Sequence, residues 1–418
     1  MNVLVIGSGG REHAIGRSLT RSRRLGRLYT LPGNAGTELL GTNIAGDPTD
    51  TAHVLSVVRQ EGIDLVVIGP EDPLAGGLAD ALTDAGVRVF GPSAAAARLE
   101  ADKAWAKQIM RQRIIPTAEA RVFEDYRLAQ QFISTRDAPL VVKAAGLAKG
   151  KGAIVCDDPA DALLAAERML VKRAFGEAGA KIVVEERLSG REVSVLAIVS
   201  GHTISVLQPA QDHKRLLEHD RGPNTGGMGA FSPTDTIDAD TMGIIESRIL
   251  VPTVDALSRE GIDYCGVLYA GLMLTAGGPK VLEFNCRFGD PEAQALLPRL
   301  RTDLLDVFEA AVERRLDQIE LDWDQRHALC VVMASGGYPG PYETGKPIRG
   351  LPDDADRDDL AVFHAGTKRE GDEIITAGGR VLGVTALGAT LADARRLAYE
   401  TVEHIEFEGA CYRRDLGA

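Results

Sequence analysis

Apolar positions in the first ninety residues come in short unbroken runs, not in alternation. Asn2–Ile6, Arg27–Leu31, Asp64–Ile68 and Val87–Phe90 each run into glycine or proline. Runs of this length predict strands buried on both faces, as in a parallel sheet. Helical spacing over Thr51–Gln60 and Ala75–Asp84 fills the gaps, which predicts a parallel α/β unit. Ala94–Arg113 reads as one helical connector. The period then shortens. Leu140–Val155 reads as two antiparallel strands joined by a glycine- and lysine-rich tip, and Pro159–Val171 as a helix. In Val281–Glu292 (VLEFNCRFGDPE), strand alternation sends Leu282, Phe284 and Cys286 into a core and Glu283, Asn285 and Arg287 to the other face. The tail reads as a separate α+β unit. His327–Ala334, Ala361–Lys368 and Arg380–Ala386 are its strands, Ala377–Arg380 a hairpin turn and Leu391–Glu403 an amphipathic helix. The expectation is therefore a multidomain α/β and α+β chain. An N-terminal parallel domain covers 1–101, a central domain 102–314 with a mobile lid at about 117–188, and a C-terminal α+β domain 315–418.

Composition removes several classes of function. A net charge of −13 over 418 residues argues against a broad nucleic-acid or anionic-membrane surface. Cys156, Cys265, Cys286, Cys330 and Cys411 show no CxxC spacing and the eight histidines no HxxxH, so neither a disulfide framework nor a zinc site is expected. No apolar run of about eighteen residues and no basic-then-apolar leader is present, so a cytoplasmic protein that does not span a membrane is expected.

Candidate chemistry concentrates on the alternating strand. Glu283 and Asn285 offer oxygen ligands to a hard cation such as Mg²⁺, and Arg287 a fork for a carboxylate or phosphate. Asp290 and Glu292 follow at the strand's end. Near the N-terminus, Gly7-Ser-Gly9-Gly10 joins a strand to a helix, an arrangement whose N–H groups suit an anion. Position 12 is glutamate where a dinucleotide fingerprint needs glycine, and the second strand ends in Leu-Pro-Gly-Asn without an acid. That argues against NAD and leaves phosphate binding open. Gly33-Asn34-Ala35-Gly36 could add N–H donors; Glu71 either accepts from sugar hydroxyls or is a surface acid. Lys103 and Lys107 share a helix face, either to meet phosphate or as solvated charge. The stretch from Lys143 through Gly150-Lys151-Gly152 departs from the Walker A spacing, and it reads as a hairpin tip that closes over phosphates. The linker Glu185-Glu186-Arg187-Leu188 could take adenine by its backbone with Glu185 on the amino group, and Glu192 could take ribose hydroxyls. Gly222–Gly229, with Gly226 and Gly227, is a glycine-dense loop able to hold an anion.

Together, strand Lys143, the GLAKGKG hairpin, the EERL linker and EFNCRFGDPE resemble the ATP-grasp ligases. GSGGREH, PGNAG, GPEDPL, QDHKR and GPNTGGMGA resemble one family among them, the phosphoribosylamine–glycine ligases, in register from residue 1 to about 415. The resemblance implies a pre-ATP-grasp domain, an ATP-grasp domain and the small C-terminal domain. It implies that ATP phosphorylates glycine to glycyl phosphate, which the amine of 5-phosphoribosylamine attacks, with Mg²⁺ or Mn²⁺ on Glu283 and Asn285. By the same resemblance Arg287, Lys143, Asp212 and Asp290 are catalytic. Asp212 and Asp290 receive the glycine ammonium or the incoming amine, and Lys214 lies with the substrates. Gly9, Gly10, Gly33, Asn34 and Gly36 hold the ribose 5-phosphate, and Glu71 the ribose. Glycine and 5-phosphoribosylamine are the expected partners, with no nucleic acid and a monomeric state. Two departures stand out: Ala145 and Lys149 on the closing loop, where many members have Asp and a small residue, and no acid on Gly266–Leu274 for a second metal. The alternatives are another ATP-grasp ligase, a nucleotide-binding regulator without catalysis, and a nicotinamide-dependent dehydrogenase. The specific loops, the Glu283–Asn285–Arg287 set and Glu12 speak against each in turn.

Overall fold

The computed structural model describes residues 1–148, 150–355 and 357–418, so Lys149 lies outside it. All four expected N-terminal strands form, with a short fifth at Thr42–Asn43. They make a parallel sheet in the order Thr42–Asn43, Leu28–Pro32, Val3–Gly7, Leu65–Ile68, Arg88–Phe90. The strand order reverses at Val3–Gly7, so the turns after it and after Ile68 open on one crevice, the usual ligand position in such sheets. Two helices differ from expectation. The segment read as Ala75–Asp84 starts at Glu71 and breaks at Gly77, whose φ of 82° suits glycine, giving Glu71–Ala75 and Leu78–Asp84. The connector is likewise two helices, Ala94–Ala101 and Lys103–Gln112. Asp102 ends the first and caps the second by accepting from Trp105 N–H.

Two four-stranded antiparallel sheets follow. The smaller orders Ala120–Phe123, Ile182–Glu186, Leu140–Ala144 and Ala153–Cys156, so the glycine-rich tip does join antiparallel neighbours. The larger orders Thr203–Val206, Arg191–Ser200, Cys265–Thr275 and Gly278–Asn285, leaving the motif strand at its edge. Its alternation is broken once. Gly271 faces Glu283 while Leu272 faces Val281, so Leu282 is bulged. Val281, Phe284 and Cys286 enter the core, whereas Leu282 stays half-buried, contrary to the simple alternation. The bulge also turns the Leu282 carbonyl to accept from Lys143 Nζ at 2.8 Å.

The tail is not self-contained. Its sheet orders Gln211–Asp212, Gly229–Ser232, His327–Ala334, Arg380–Gly388 and Leu360–His364, so two strands from the QDHKR and GPNTGGMGA region complete it. The run Ala361–Lys368 divides into Leu360–His364 and Thr367–Glu370. Glu373–Thr376 pairs with Thr367–Glu370 and not with Arg380–Gly388, so residues 377–380 cross between two sheets and close no hairpin. The His364 N–H donates to His13 Nδ1 at 2.8 Å, docking this unit on the N-terminal domain. Burial keeps both imidazoles neutral: His364 is lowered to about 4, and His13 lies well below its ordinary value. No described helix is long and apolar enough to cross a membrane.

Candidate active site

Glu283 sits at the centre of a charge cluster. Lys214 Nζ lies 3.9 Å from Glu283, 3.9 Å from Asp212 and 3.8 Å from Glu192. Burial opposes ionisation of Glu283, but the ammoniums of Lys214, Lys143 and Lys103 outweigh it and hold the carboxyl below its ordinary range. Burial and the neighbouring acids push Glu192 upward, against the pull of Lys214. An ionised Glu283 beside the Asn285 amide oxygen fits a hard divalent cation that takes its remaining ligands from water or phosphate. Among the described residues no group of three or more His, Cys, Asp or Glu side chains could hold a metal.

The lysines expected at phosphate are brought together. Lys143 Nζ lies 3.0 Å from Glu185 Oε2, and Lys107 Nζ 3.1 Å from Glu185 Oε1 and 2.6 Å from Thr117 Oγ1. Lys103 Nζ donates to the Gly146 carbonyl at 3.2 Å, tying the helix to the root of the hairpin. Glu185 is thereby held between two ammoniums, while its Oε1 accepts no hydrogen bond. Glu186 points outward to Lys280, 3.2 Å away, and its N–H already donates to the Glu119 carbonyl. Leu188 is half-buried beyond it. At the tip, Gly150 has a φ of 73°, which favours glycine, and a Cβ there would meet the Thr225 carbonyl at 3.6 Å. Lys151 Nζ donates to the Pro339 carbonyl at 2.7 Å, away from the lysine group, and a Cβ on Gly152 would collide with Ala148. The tip is folded down on the 222–229 loop and the C-terminal unit.

Arg287 meets several partners, while its Nε donates no hydrogen bond. Nη2 meets Glu100 Oε1 at 2.8 Å and Asn285 Oδ1 at 3.2 Å, Nε lies 3.4 Å from Glu71 Oε2, and Nη1 donates to the Phe288 carbonyl. Burial pushes Glu100 upward against the pull of Arg287. Glu71, left open between sugar ligand and surface acid, faces this guanidinium. Asp290 lies where the units meet. Its Oδ2 is 3.1 Å from Arg380 Nη2, its Oδ1 accepts from Gln294 at 2.7 Å, and a Cβ on Gly9 would come within 3.3 Å of it. Arg380 Nη1 donates to the Asp290 and Gly226 carbonyls at 2.7 and 2.8 Å.

Several amides of the three expected anion cradles already have partners within the chain. Gly9 N–H donates to Glu12 Oε2 at 2.6 Å, and Glu12 is clamped by Arg11 at the same distance. Cβ atoms on Gly7 or Gly69 would collide with Glu12. The glutamate that excludes a dinucleotide fingerprint therefore fills the glycine turn itself. Gly10 packs on Gln294, whose amide a Cβ would strike. In the second turn Asn34 Oδ1 accepts from Gly36 and Thr37 N–H, its amide donates to the Ser8 and His364 carbonyls, and Gly33 N–H donates to the Gly7 carbonyl. In the third, Gly226 N–H donates to the Tyr338 hydroxyl and Gly227 N–H to Thr225 Oγ1. Sequence reasoning missed Glu12's carboxylate as a plug, Glu100, Arg380, Gln294 and the Ser194–Tyr269–Glu292 group. Only Glu12 and Glu292 lay inside motifs that could have flagged them.

The chain matches the Phosphoribosylglycinamide synthetase family models: N domain over residues 1–100, ATP-grasp (A) domain over 101–293 and C domain over 328–418. It is 49% identical over 422 residues to the phosphoribosylamine–glycine ligase of Rhodopirellula baltica, covering 99% of this chain and 97% of that protein. A solved phosphoribosylamine–glycine ligase from Thermotoga maritima superposes with a TM-score of 0.86 at 35% identity, over 99% of this chain and 100% of the other. The biotin carboxylase domain of Hydrogenobacter thermophilus 2-oxoglutarate carboxylase shares the fold alone. Its TM-score is 0.72 at 14% identity, over 98% and 91% of the two chains. The chain belongs to the phosphoribosylamine–glycine ligase family of ATP-grasp ligases.

Proposed function

We propose that the chain joins glycine to 5-phosphoribosylamine with cleavage of ATP to ADP and phosphate, the second step of de novo purine biosynthesis, through glycyl phosphate. The observation that carries this is the meeting of Glu283 with Lys214, Lys143 and Lys103, with Lys214 also reaching Asp212, in a chain of this family. Carboxylates are poor electrophiles, and phosphorylation turns one oxygen into a leaving group. Lys103, Lys143 and Lys214 offset the charge that spreads over the transferring phosphoryl group. Mg²⁺ or Mn²⁺ held by Glu283 and Asn285 would add Lewis-acid polarisation of that group. Arg287 orients the glycine carboxylate, its own position fixed by Glu100. Asp212 and Asp290 face the glycine ammonium and the incoming amine. The closed hairpin keeps water from the acyl phosphate. The crevice at Gly9, Gly10 and Glu71 takes the phosphoribosyl end, which requires Glu12 to release Gly9 N–H or the phosphate to use other amides there. The same reading has the enzyme act as a cytoplasmic monomer.

Phosphate release from ATP and Mg²⁺, measured with glycine and freshly made phosphoribosylamine and with each omitted in turn, tests this. Release is expected only with glycine present. Release indifferent to glycine defeats the reading.

Lys107 adds a pH dependence. Burial lowers its ammonium to about 8, despite the adjoining Glu185 carboxylate. As pH rises through about 8 the folded protein loses this charge, so the KM for ATP should climb, while Lys107→Arg, protonated throughout, should flatten the rise. A wild-type KM that stays level to about pH 9 would remove Lys107 from the nucleotide site.

A further inference from the structure

Behind Asp212 lies a buried polar group that the ligation reading leaves without a task. Ser194 Oγ is 3.3 Å from Asp212 Oδ1, 3.1 Å from Glu292 Oε1 and 2.8 Å from the Tyr269 hydroxyl. Tyr269 donates to the same Glu292 oxygen at 2.8 Å. Ser194 is 1% exposed, Tyr269 and Glu292 3%, and Asp212 8%. Three strands and one helix supply these side chains: Arg191–Ser200, Gln211–Asp212, Cys265–Thr275 and Glu292–Leu296. Isolated serine and tyrosine hydroxyls on otherwise apolar buried strands are costly unless hydrogen-bonded, and here each finds its partner in a carboxylate.

The proton count is informative. With both carboxylates ionised, two hydroxyl protons serve four close contacts. One further proton, on either acid, supplies a third donor to the network without moving a heavy atom. Two buried acids joined through one hydroxyl share that proton as a pair. Burial, then the Asp212 charge, pushes the Glu292 carboxyl above the ordinary range. The other groups facing it are Lys214, Tyr269, Arg287, Arg380 and the Cys330 thiol. The cations among them keep the pair able to hold net negative charge.

Amide formation needs such an acceptor. The ribosyl amine nitrogen attacks the acyl carbon, the C–N bond forms, the C–O bond to phosphate breaks and phosphate leaves with the electron pair. The nitrogen must then shed one proton. We propose that Asp212 takes this proton and that Ser194 relays it to Glu292. Ser194 gains a proton from Asp212 as it passes its own to Glu292, so one proton moves in all. Glu292 touches no substrate and is a positioning and relay residue. The inference rests on the reading of Asp212 as facing the amine.

The test compares kcat-versus-pH profiles for ligation in the wild type, Glu292→Gln and Glu292→Asp. In the wild type kcat falls on the acid side as the raised Glu292 carboxyl protonates. Glu292→Gln removes the acid whose carboxyl burial and the Asp212 charge push upward, so kcat should drop about 10²-fold and the acid limb should move to lower pH. Glu292→Asp should restore the limb and part of the rate. Should Glu292→Gln fail to fold, Ser194→Ala is expected to give the same loss. Wild-type kcat in Glu292→Gln, or a lower kcat with the limb unmoved, overturns the relay. Glycine-dependent trapping of glycyl hydroxamate by wild-type protein with hydroxylamine separates the two failures. Its absence sinks the ligation reading, whereas its presence with an unmoved limb sinks the relay alone.

Discussion

Glu283→Ala is expected to lower ligation by about 10³-fold or more even at saturating Mg²⁺, with the protein still folded. Glu283 lies on the edge strand Gly278–Asn285, half-buried, and stands outside the apolar clusters of the core. Its loss removes the carboxylate that Lys214, Lys143 and Lys103 hold ionised, and with it a charged ligand for the cation. Lys143 keeps Glu185 and the Leu282 carbonyl as partners, so no ammonium on that side is stranded. Thermal melting should therefore shift only slightly, by about 1 kcal/mol in stability. Phosphate release beside a melting curve checks both halves. A near-normal rate would remove Glu283 from the metal.

Arg287→Lys is the second large effect. The guanidinium serves Glu100, Glu71, Asn285 and the Phe288 carbonyl at once, and an ammonium on a flexible stem cannot reproduce that set. A fall of about 10²- to 10³-fold in kcat/KM for glycine is expected. Stability also changes, with a definite sign. Glu100 is 7% exposed, and its carboxyl is already raised by burial against the pull of Arg287. An acid whose folded value lies above its unfolded value destabilises the fold as pH rises past the unfolded value, because the native state then binds more protons. Weakening its partner enlarges this term, by about 1–3 kcal/mol for a buried group left unpaired. The variant should melt closer to wild type at about pH 4 than at pH 7. Equal destabilisation at both would show that Glu100 is not the cause.

How far the sequence went differs from element to element. The N-terminal strands were legible because unbroken apolar runs ending in glycine or proline admit few other readings, and the motif strand because Glu283, Asn285 and Arg287 keep one face. What escaped was contact between distant segments and local backbone irregularity. The bulge at Leu282 depends on its partner strand, and alternation alone sent that side chain into the core. The glycine turns looked like open donor sets, since nothing local shows that Glu12 folds back on Gly9 or that Asn34 consumes the amides of Gly36 and Thr37. Ser194, Tyr269 and Glu292 are single polar residues far apart in sequence, and only the pairing of two strands, with the start of the helix Glu292–Leu296 brought against them, makes a network of them. The tail read as separate because strand pairing with Gly229–Ser232 leaves no trace in its own pattern.

The most direct measurement is an anomalous difference map from crystals grown with Mn²⁺ and a non-hydrolysable ATP analogue. The account predicts the metal peak against Glu283 and Asn285, with the nucleotide's last phosphate on the same strand edge beside Lys143. Manganese and phosphates lodged elsewhere in the molecule would contradict it.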